Sequence, residues 1–171
     1  MEHKYIIEDI SENADWYRQI EPLVKEQVEY HKNLSSPDPD MFGEDYNVQA
    51  EYMKAEKEAE DFACFVAYDE TDPDKLIGMA TLFEFDEYPT YPYSVGYIFD
   101  VHVKENQRGA GLGHILMDRA MEWFAAHPNI RSITLEAWAG NERVQKLYRQ
   151  YGFEIRDYEM TVLNPTWKKQ S

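Results

Sequence analysis

A chain of 171 residues, 43% hydrophobic and 15% aromatic, has the length of one folded domain and too much apolar content for a disordered one. Its formal net charge of −16 argues against nucleic acid as a partner, because phosphate binding needs a basic face. The same charge is compatible with a cationic substrate, and equally with nothing more than solubility.

The opening run, MEHKYIIEDI, carries acids among its apolar residues and lacks the layout of a secretion signal. No apolar run has the length of a membrane span. Tyr5 to Ile10 reads as a short strand, and Ser11 or Asn13 then offers a helix cap. Trp16, Ile20, Leu23, Val24, Val28 and His31 form one helical stripe, and Pro22 within it predicts a break or kink near Ile20 and Glu21. Ser35-Ser36-Pro37-Asp38-Pro39-Asp40 marks a loop. Residues 47–62 read as a second helix, with Val48, Tyr52, Ala55, Ala59 and Phe62 on one face. Ala63–Tyr68 and Lys75–Phe85 read as a hairpin around the turn at 69–74, with Gly78 marking a bulge. The single cysteine, Cys64, excludes an intrachain disulfide. It points to a reduced, cytoplasmic setting, and its apolar surroundings suit a small core residue. Residues 86–93 form a Pro-broken loop with Tyr88, Tyr91 and Tyr93.

Val95 to Val103 alternates as a strand. Val95, Tyr97, Phe99, Val101 and Val103 share one face, which leaves Asp100 on the other. Arg108-Gly109-Ala110-Gly111-Leu112-Gly113 follows. Its glycines allow a tight turn and close ligand approach, and Arg108 adds a planar cation. A helix from 112 to 126 comes next, with Leu112, Ile115, Leu116, Ala120, Trp123 and Phe124 as its buried residues. A loop of this kind between strand and helix makes an anion site from the free N–H groups of the first helical turn. The dinucleotide spacing G-x-G-x-x-G fails at His114, and no Gly-Lys-Ser/Thr follows to make a P-loop. His127-Pro128-Asn129 ends the helix. Ser132–Trp138 reads as a strand, Glu142–Tyr151 as the last helix and Phe153–Leu163 as a final strand. The five histidines are scattered, so no catalytic metal is expected.

The R-x-x-G-x-G pattern of Arg108, Gly111 and Gly113 resembles the pyrophosphate loop of the GNAT superfamily of N-acetyltransferases. ITLEAWAGNERVQKLYRQYGF at 133–153 is similar to the closing segment of that family, through Asn141, Leu147, Tyr148, Gly152 and Phe153. Ala137 and Val144 depart from the family pattern. The resemblance covers 75–163 well and implies a single N-acetyltransferase domain over 1–171. The implied fold is α/β: a mixed, mostly antiparallel central sheet with a splayed central strand pair and about four flanking helices.

The resemblance also implies acetyl-coenzyme A as cosubstrate. Backbone groups of Val101 and Val103 would hold the pantetheine arm. Arg108, Gly109, Ala110, Gly111, Leu112 and Gly113 would hold the pyrophosphate, with Asn141 added to the coenzyme contacts. Tyr148 matches the family tyrosine that protonates the leaving thiolate, and Tyr151 is the fallback. The base is open: Tyr97 and Phe99 occupy the positions where some relatives carry a Glu, so Asp100 is the candidate and Glu136 an alternative. His31, Met41, Phe42 and Tyr46 are candidate acceptor contacts, beside the carboxylates Glu44, Asp45, Glu84, Asp86 and Glu87. The implied activity is N-acetylation of a primary amine, either a small cationic amine or a peptide amine. The alternatives are a coenzyme-A-binding sensor without turnover, or an acyltransferase with another donor or acceptor. The expected partners are acetyl-coenzyme A and the acceptor, with no nucleic acid and no membrane, and a homodimer left open.

Overall fold

The computed structural model describes residues 5–34, 47–86 and 93–158. Ten strand and helix segments, counting one 3₁₀ turn, occur among them in the order β1 (Tyr5–Asp9), α1 (Trp16–Lys32), α2 (Val48–Glu58), β2 (Asp61–Asp69), β3 (Asp72–Phe85), β4 (Ser94–Val103), a 3₁₀ turn (Glu105–Gln107), α3 (Leu112–Ala125), β5 (Ile130–Leu135) and α4 (Glu142–Gln150). The five strands form one sheet in chain order, β1-β2-β3-β4-β5. The first three pairings are antiparallel and the β4–β5 pairing is parallel. This is the mixed, mostly antiparallel α/β architecture expected from the sequence. Among the described residues no helix is long and apolar enough to cross a membrane.

Backbone contacts divide the chain into two compact units. One joins Met1–Gln27 to Asn47–Glu136 and holds the whole sheet; the other joins Val28–Tyr46 to Ala137–Ser171. In the first unit an aromatic layer fills the space between one sheet face and the helices α1 and α2. The Trp16 ring lies 5.4 Å from Tyr52 and 5.3 Å from Phe62; Phe99 lies 5.3 Å from Tyr52 and 5.4 Å from Phe83. Trp16 also donates from Nε1 to Glu56 Oε2 at 3.1 Å, which ties α1 to α2. α3 covers the other face with Leu112, Leu116, Met117, Ala120 and Phe124, all buried. Each of the larger side chains among them contributes roughly 1.5–3 kcal/mol by leaving water.

Several sequence expectations change. α1 runs through Pro22 without a break. The ring costs one helical hydrogen bond, and buried Ile20, Leu23 and Val24 on either side hold the helix to the sheet. α2 ends at Glu58, so Phe62 belongs to β2 instead. Asn47 starts α2 as its cap, with Oδ1 accepting from Ala50 N at 3.0 Å. In α3, Ile115 is 36% exposed while Met117, unassigned by the pattern, is fully buried. β5 stops at Leu135, short of Trp138. Residues 153–158 form no strand, and the remainder of that expected strand lies outside the described residues. Cys64 is a core residue, as its setting implied, and burial pushes its thiol pKa well up. The bulge expected at Gly78 is present: Ala67 pairs with Gly78 and Tyr68 with Leu76, leaving Ile77 as the extra residue.

Candidate active site

β4 is the element on which the site is built, and its register differs from simple alternation at one point. Thr81 pairs with Asp100, but the next residue of β3, Leu82, pairs with Ile98. Phe99 is therefore an extra residue, a β-bulge. The bulge reverses the phase of everything after it. Tyr97 and Asp100 now stand opposite Phe83 and Thr81, which share a face of β3. Val101 and Val103 stand opposite Ala80 and Gly78, on the face that α3 covers. The sequence reading put Asp100 on the face opposite Tyr97 and grouped Val101 and Val103 with Tyr97; the bulge overturns both.

The bulge delivers Asp100 to the α1–α2 side. Gln27 Nε2 donates to Asp100 Oδ1 at 2.5 Å, and the Tyr52 hydroxyl donates to Oδ2. The residue keeps partial solvent contact although its carboxyl is ringed by these groups. Burial pushes the Asp100 carboxyl up to about 7, and the Glu51 charge adds to the rise, against the pull of the Tyr52 and Gln27 hydrogen bonds. The Tyr52 hydroxyl is itself pushed well up by burial and by the charge of Asp100. One oxygen in this cluster, Gln27 Oε1, is buried with no hydrogen-bond partner among the described residues, while the Thr81 hydroxyl lies against Asp100 and Tyr52. Two residues along the same face, His102 is 4% exposed, with Nε2 3.3 Å from Glu26 Oε1. Burial lowers its pKa, and Glu26 opposes that. The sequence reading missed Gln27, Tyr52, Thr81 and His102. Tyr52 and Gln27 carried only a helix-face signal, and nothing local in the sequence joins them to a strand residue 48 or 73 positions away.

Beyond the bulge, β4 also loses its neighbour. The β4–β5 pairing runs from Ser94↔Ile130 to Ile98↔Leu135, while β4 continues to Val103. Lys104 N donates to Ile77 O at 2.9 Å, so alternation along the antiparallel ladder turns the backbone groups of Val101 and Val103 away from β3. They face the side that β5 has left, which is the expected splay. The Val103 carbonyl is already taken by Arg108 Nε at 2.9 Å. Arg108 is thus tied to the end of β4 and shapes the loop as well as charging it.

The loop itself turns through two left-handed residues, Gly109 and Gly111, both at φ 91°. L side chains rarely adopt that conformation. A Cβ built at either glycine meets no protein atom within 4 Å, so the space beside the backbone is open. Gly111 caps α3 without any side-chain hydrogen bond, and Leu112 and Gly113 begin the helix. The Leu112 side chain is 1% exposed and belongs to the core, so only its amide can meet a ligand. Ala110 is exposed at the crest of the loop. Free helical N–H groups, open space at Gly109 and Gly111, and the nearby Arg108 charge suit a pyrophosphate. The residues present therefore fit the coenzyme implied by the sequence pattern.

Asn141 and Tyr148 belong to the second unit. Asn141 caps α4, with Oδ1 accepting from Val144 N at 3.3 Å. Tyr148 is buried, its ring 6.0 Å from Phe153, and its carbonyl accepts from Tyr151 N and Phe153 N where α4 ends. Also in this unit, His31 lies 5.6 Å from the Trp138 ring. Glu136 is exposed at the end of β5. Met41, Phe42, Glu44, Asp45, Tyr46, Glu87, Tyr88 and Tyr91 lie outside the described residues.

The fold is shared with solved structures at low sequence identity. An acetyl transferase assignment attaches to a Pyrococcus furiosus protein that matches with a TM-score of 0.66 and 22% identity, covering 94% of this chain and 99% of that one. An aminoglycoside acetyltransferase from an uncultured soil metagenomic sample, solved with trehalose, matches with a TM-score of 0.59 and 22% identity over 93% and 97% of the two chains. Glucosamine-6-phosphate N-acetyltransferase from Arabidopsis thaliana matches with a TM-score of 0.61 and 16% identity over 94% and 99%. No curated protein matches the sequence. The model of the acetyltransferase (GNAT) family matches residues 25–153, from the third turn of α1 to the residues after α4. With most of its length matched, and with the splayed strand and glycine turn of its sheet, the chain belongs to the acetyltransferase (GNAT) family.

Proposed function

We propose that the protein transfers an acetyl group from acetyl-coenzyme A to a primary amine, with Asp100 receiving the proton the amine must lose. The observation that carries this reading is the Asp100 cluster. It holds a carboxyl with a pKa of about 7, gripped by Gln27 and Tyr52, on a residue that keeps partial solvent contact. A general base works best when its pKa lies near the working pH. An amine is protonated at neutral pH and attacks only after deprotonation, so a base poised there matches the demand.

Bound acetyl-coenzyme A supplies an acyl group already activated as a thioester. The backbone of Val101 and the N–H of Val103 hold its arm in this reading, and the amides of Gly109 to Gly113 hold its pyrophosphate with Arg108 alongside. Positioning of this kind replaces a bimolecular encounter with an intramolecular one. Asp100 accepts the ammonium proton, and the nitrogen lone pair forms the C–N bond as the C–S bond breaks. Tyr148 gives its phenolic proton to the departing thiolate, and the second proton shed by the new amide nitrogen returns through solvent to the phenolate. That role rests on the Asn141–Tyr148–Gly152 pattern alone. The aminoglycoside and amino-sugar acceptors of the two fold relatives are amines, which is consistent with the same acceptor class here.

Two measurements test the reading. Calorimetry should show acetyl-coenzyme A binding to the wild-type protein, and at least tenfold weaker binding to Gly111→Val, whose side chain would enter the open space beside the loop. Unchanged affinity in a folded variant would sink the loop assignment. Thiol release across a panel of polyamines, aminoglycosides, amino acids and peptides should then find an acceptor. Tight coenzyme binding with no thiol release from any of them would point to a sensor without turnover.

A further inference from the structure

We infer that the protein carries a second ligand site, at the opposite end of β4 from the glycine loop, that binds an organic di- or polycation. A depression of about 410 Å³ opens there, lined by Glu60, Asp61, Glu84, Asp86, Tyr93 and Ser94. Its volume suits a small molecule. Ser94 and Asp100 are six residues apart on one strand, so the pocket lies roughly 20 Å from the transfer site at about 3.3 Å per residue. One ligand cannot serve as acceptor at Asp100 and fill this pocket.

Glu84 carries the argument. It is only 8% exposed, it lines the depression, and no described residue hydrogen-bonds its carboxylate. A carboxylate in that position is costly unless a cation or donor meets it. Its neighbours are partly satisfied by the protein. Asp61 Oδ2 faces His127 Nε2 at 2.9 Å, and Asp86 Oδ1 accepts from Ser94 Oγ at 3.2 Å. The nearby guanidinium of Arg131 stands over the Tyr93 ring, 5.5 Å from its centroid. His127 feels the charge of Glu84 as well as that of Asp61 and offsets part of it, and net negative charge remains across Glu60, Glu84 and Asp86.

The spacing of these acids selects the ligand. Among the described residues no three acidic, His or Cys groups converge as ligands of one metal ion would. Carboxylates distributed around a volume of this size match a cation whose N–H donors are separated along a chain. A linear polyamine has that chemistry.

The test uses spermidine as the probe and calorimetry on the full chain at low salt. Wild-type protein should bind it saturably. Glu84→Gln keeps the shape of the side chain and should weaken binding at least tenfold, while its melting temperature stays level or rises. Asp86→Asn, at an exposed position, should weaken binding severalfold and decides the matter if Glu84→Gln does not fold. Glu70→Gln removes the same unit of charge from an exposed hairpin turn and should stay within twofold of wild type. The inference fails if spermidine does not bind saturably, or if Glu84→Gln and Asp86→Asn behave like Glu70→Gln. It also fails if Asp100→Asn alone abolishes binding, since the ligand would then sit at the transfer site. Loss of acetyl-coenzyme A binding in Gly111→Val tests the other reading and leaves this one untouched.

Discussion

Asp100 shows how one buried carboxyl links stability to catalysis. Its pKa rises from 3.8 to about 7 because burial disfavours the charge. The folded state then keeps the proton at pH values where the unfolded chain has released it. The resulting contribution to stability is full below about pH 4 and is lost as pH rises through about 7. Asp100→Asn has no such titration. The melting-temperature difference between variant and wild type should therefore move in the variant's favour from pH 5 to pH 8, whatever constant cost comes from disturbing the Tyr52 and Gln27 contacts. A difference independent of pH would mean that the carboxyl titrates normally. In catalysis the same variant should lower kcat by about 10²-fold or more and abolish an acid limb near pH 7, as expected for removal of a general base. Tyr148→Phe should lower kcat as well but keep that limb, because the proton it supplies is a different one.

At the scale of elements, the closest constraint lies where α3 crosses β4. A Cβ at Gly96 would stand 2.5 Å from Phe124 Cε1 and 2.7 Å from Cδ1. Gly96→Ala should therefore destabilise the protein by about 1–3 kcal/mol in urea unfolding, the usual cost of overpacking. Combining it with Phe124→Leu should cost less than the two changes added together, since the smaller partner makes room. Strict additivity would show that the clash is relieved by backbone movement instead. The elements themselves were largely legible in the sequence. Alternation gave β4, an apolar run and its turn gave the β2–β3 hairpin, helical stripes gave α1 and α2, and the glycine spacing marked the start of α3. What could not be read was the bulge at Phe99. Phe99 is an ordinary strand residue, and the extra position exists only because the Phe83 side of β3 and the α1–α2 helices accept two consecutive inward residues, Phe99 and Asp100. One unreadable residue exchanged the faces of Asp100, Val101 and Val103. The glycine loop suffered no such reversal, because its conformation is local: positive φ demands glycine wherever it occurs.

For the whole molecule, 33 acidic side chains against 17 basic ones set a strong negative field. A cationic acceptor would be drawn in and an anionic one repelled. At low salt, kcat/KM for a polyamine should exceed that for a neutral amine of similar size, and the advantage should shrink as salt brings the screening length toward about 8 Å. A preference untouched by salt would locate selectivity in direct contacts instead. The order of the sheet has a different consequence. Each strand pairs with the one synthesised just before it, and the first three additions need only antiparallel pairing. Among the described residues, a nascent chain can add these five strands from one edge, one after another, without a later strand entering between finished neighbours. The exception is the parallel β4–β5 joint, which requires α3 to form and cross first. Among the described strands, the step that opens the splay is thus the last pairing to form, and ribosome-bound chains ending before Leu135 should already protect the amides of β2 and β3 from exchange.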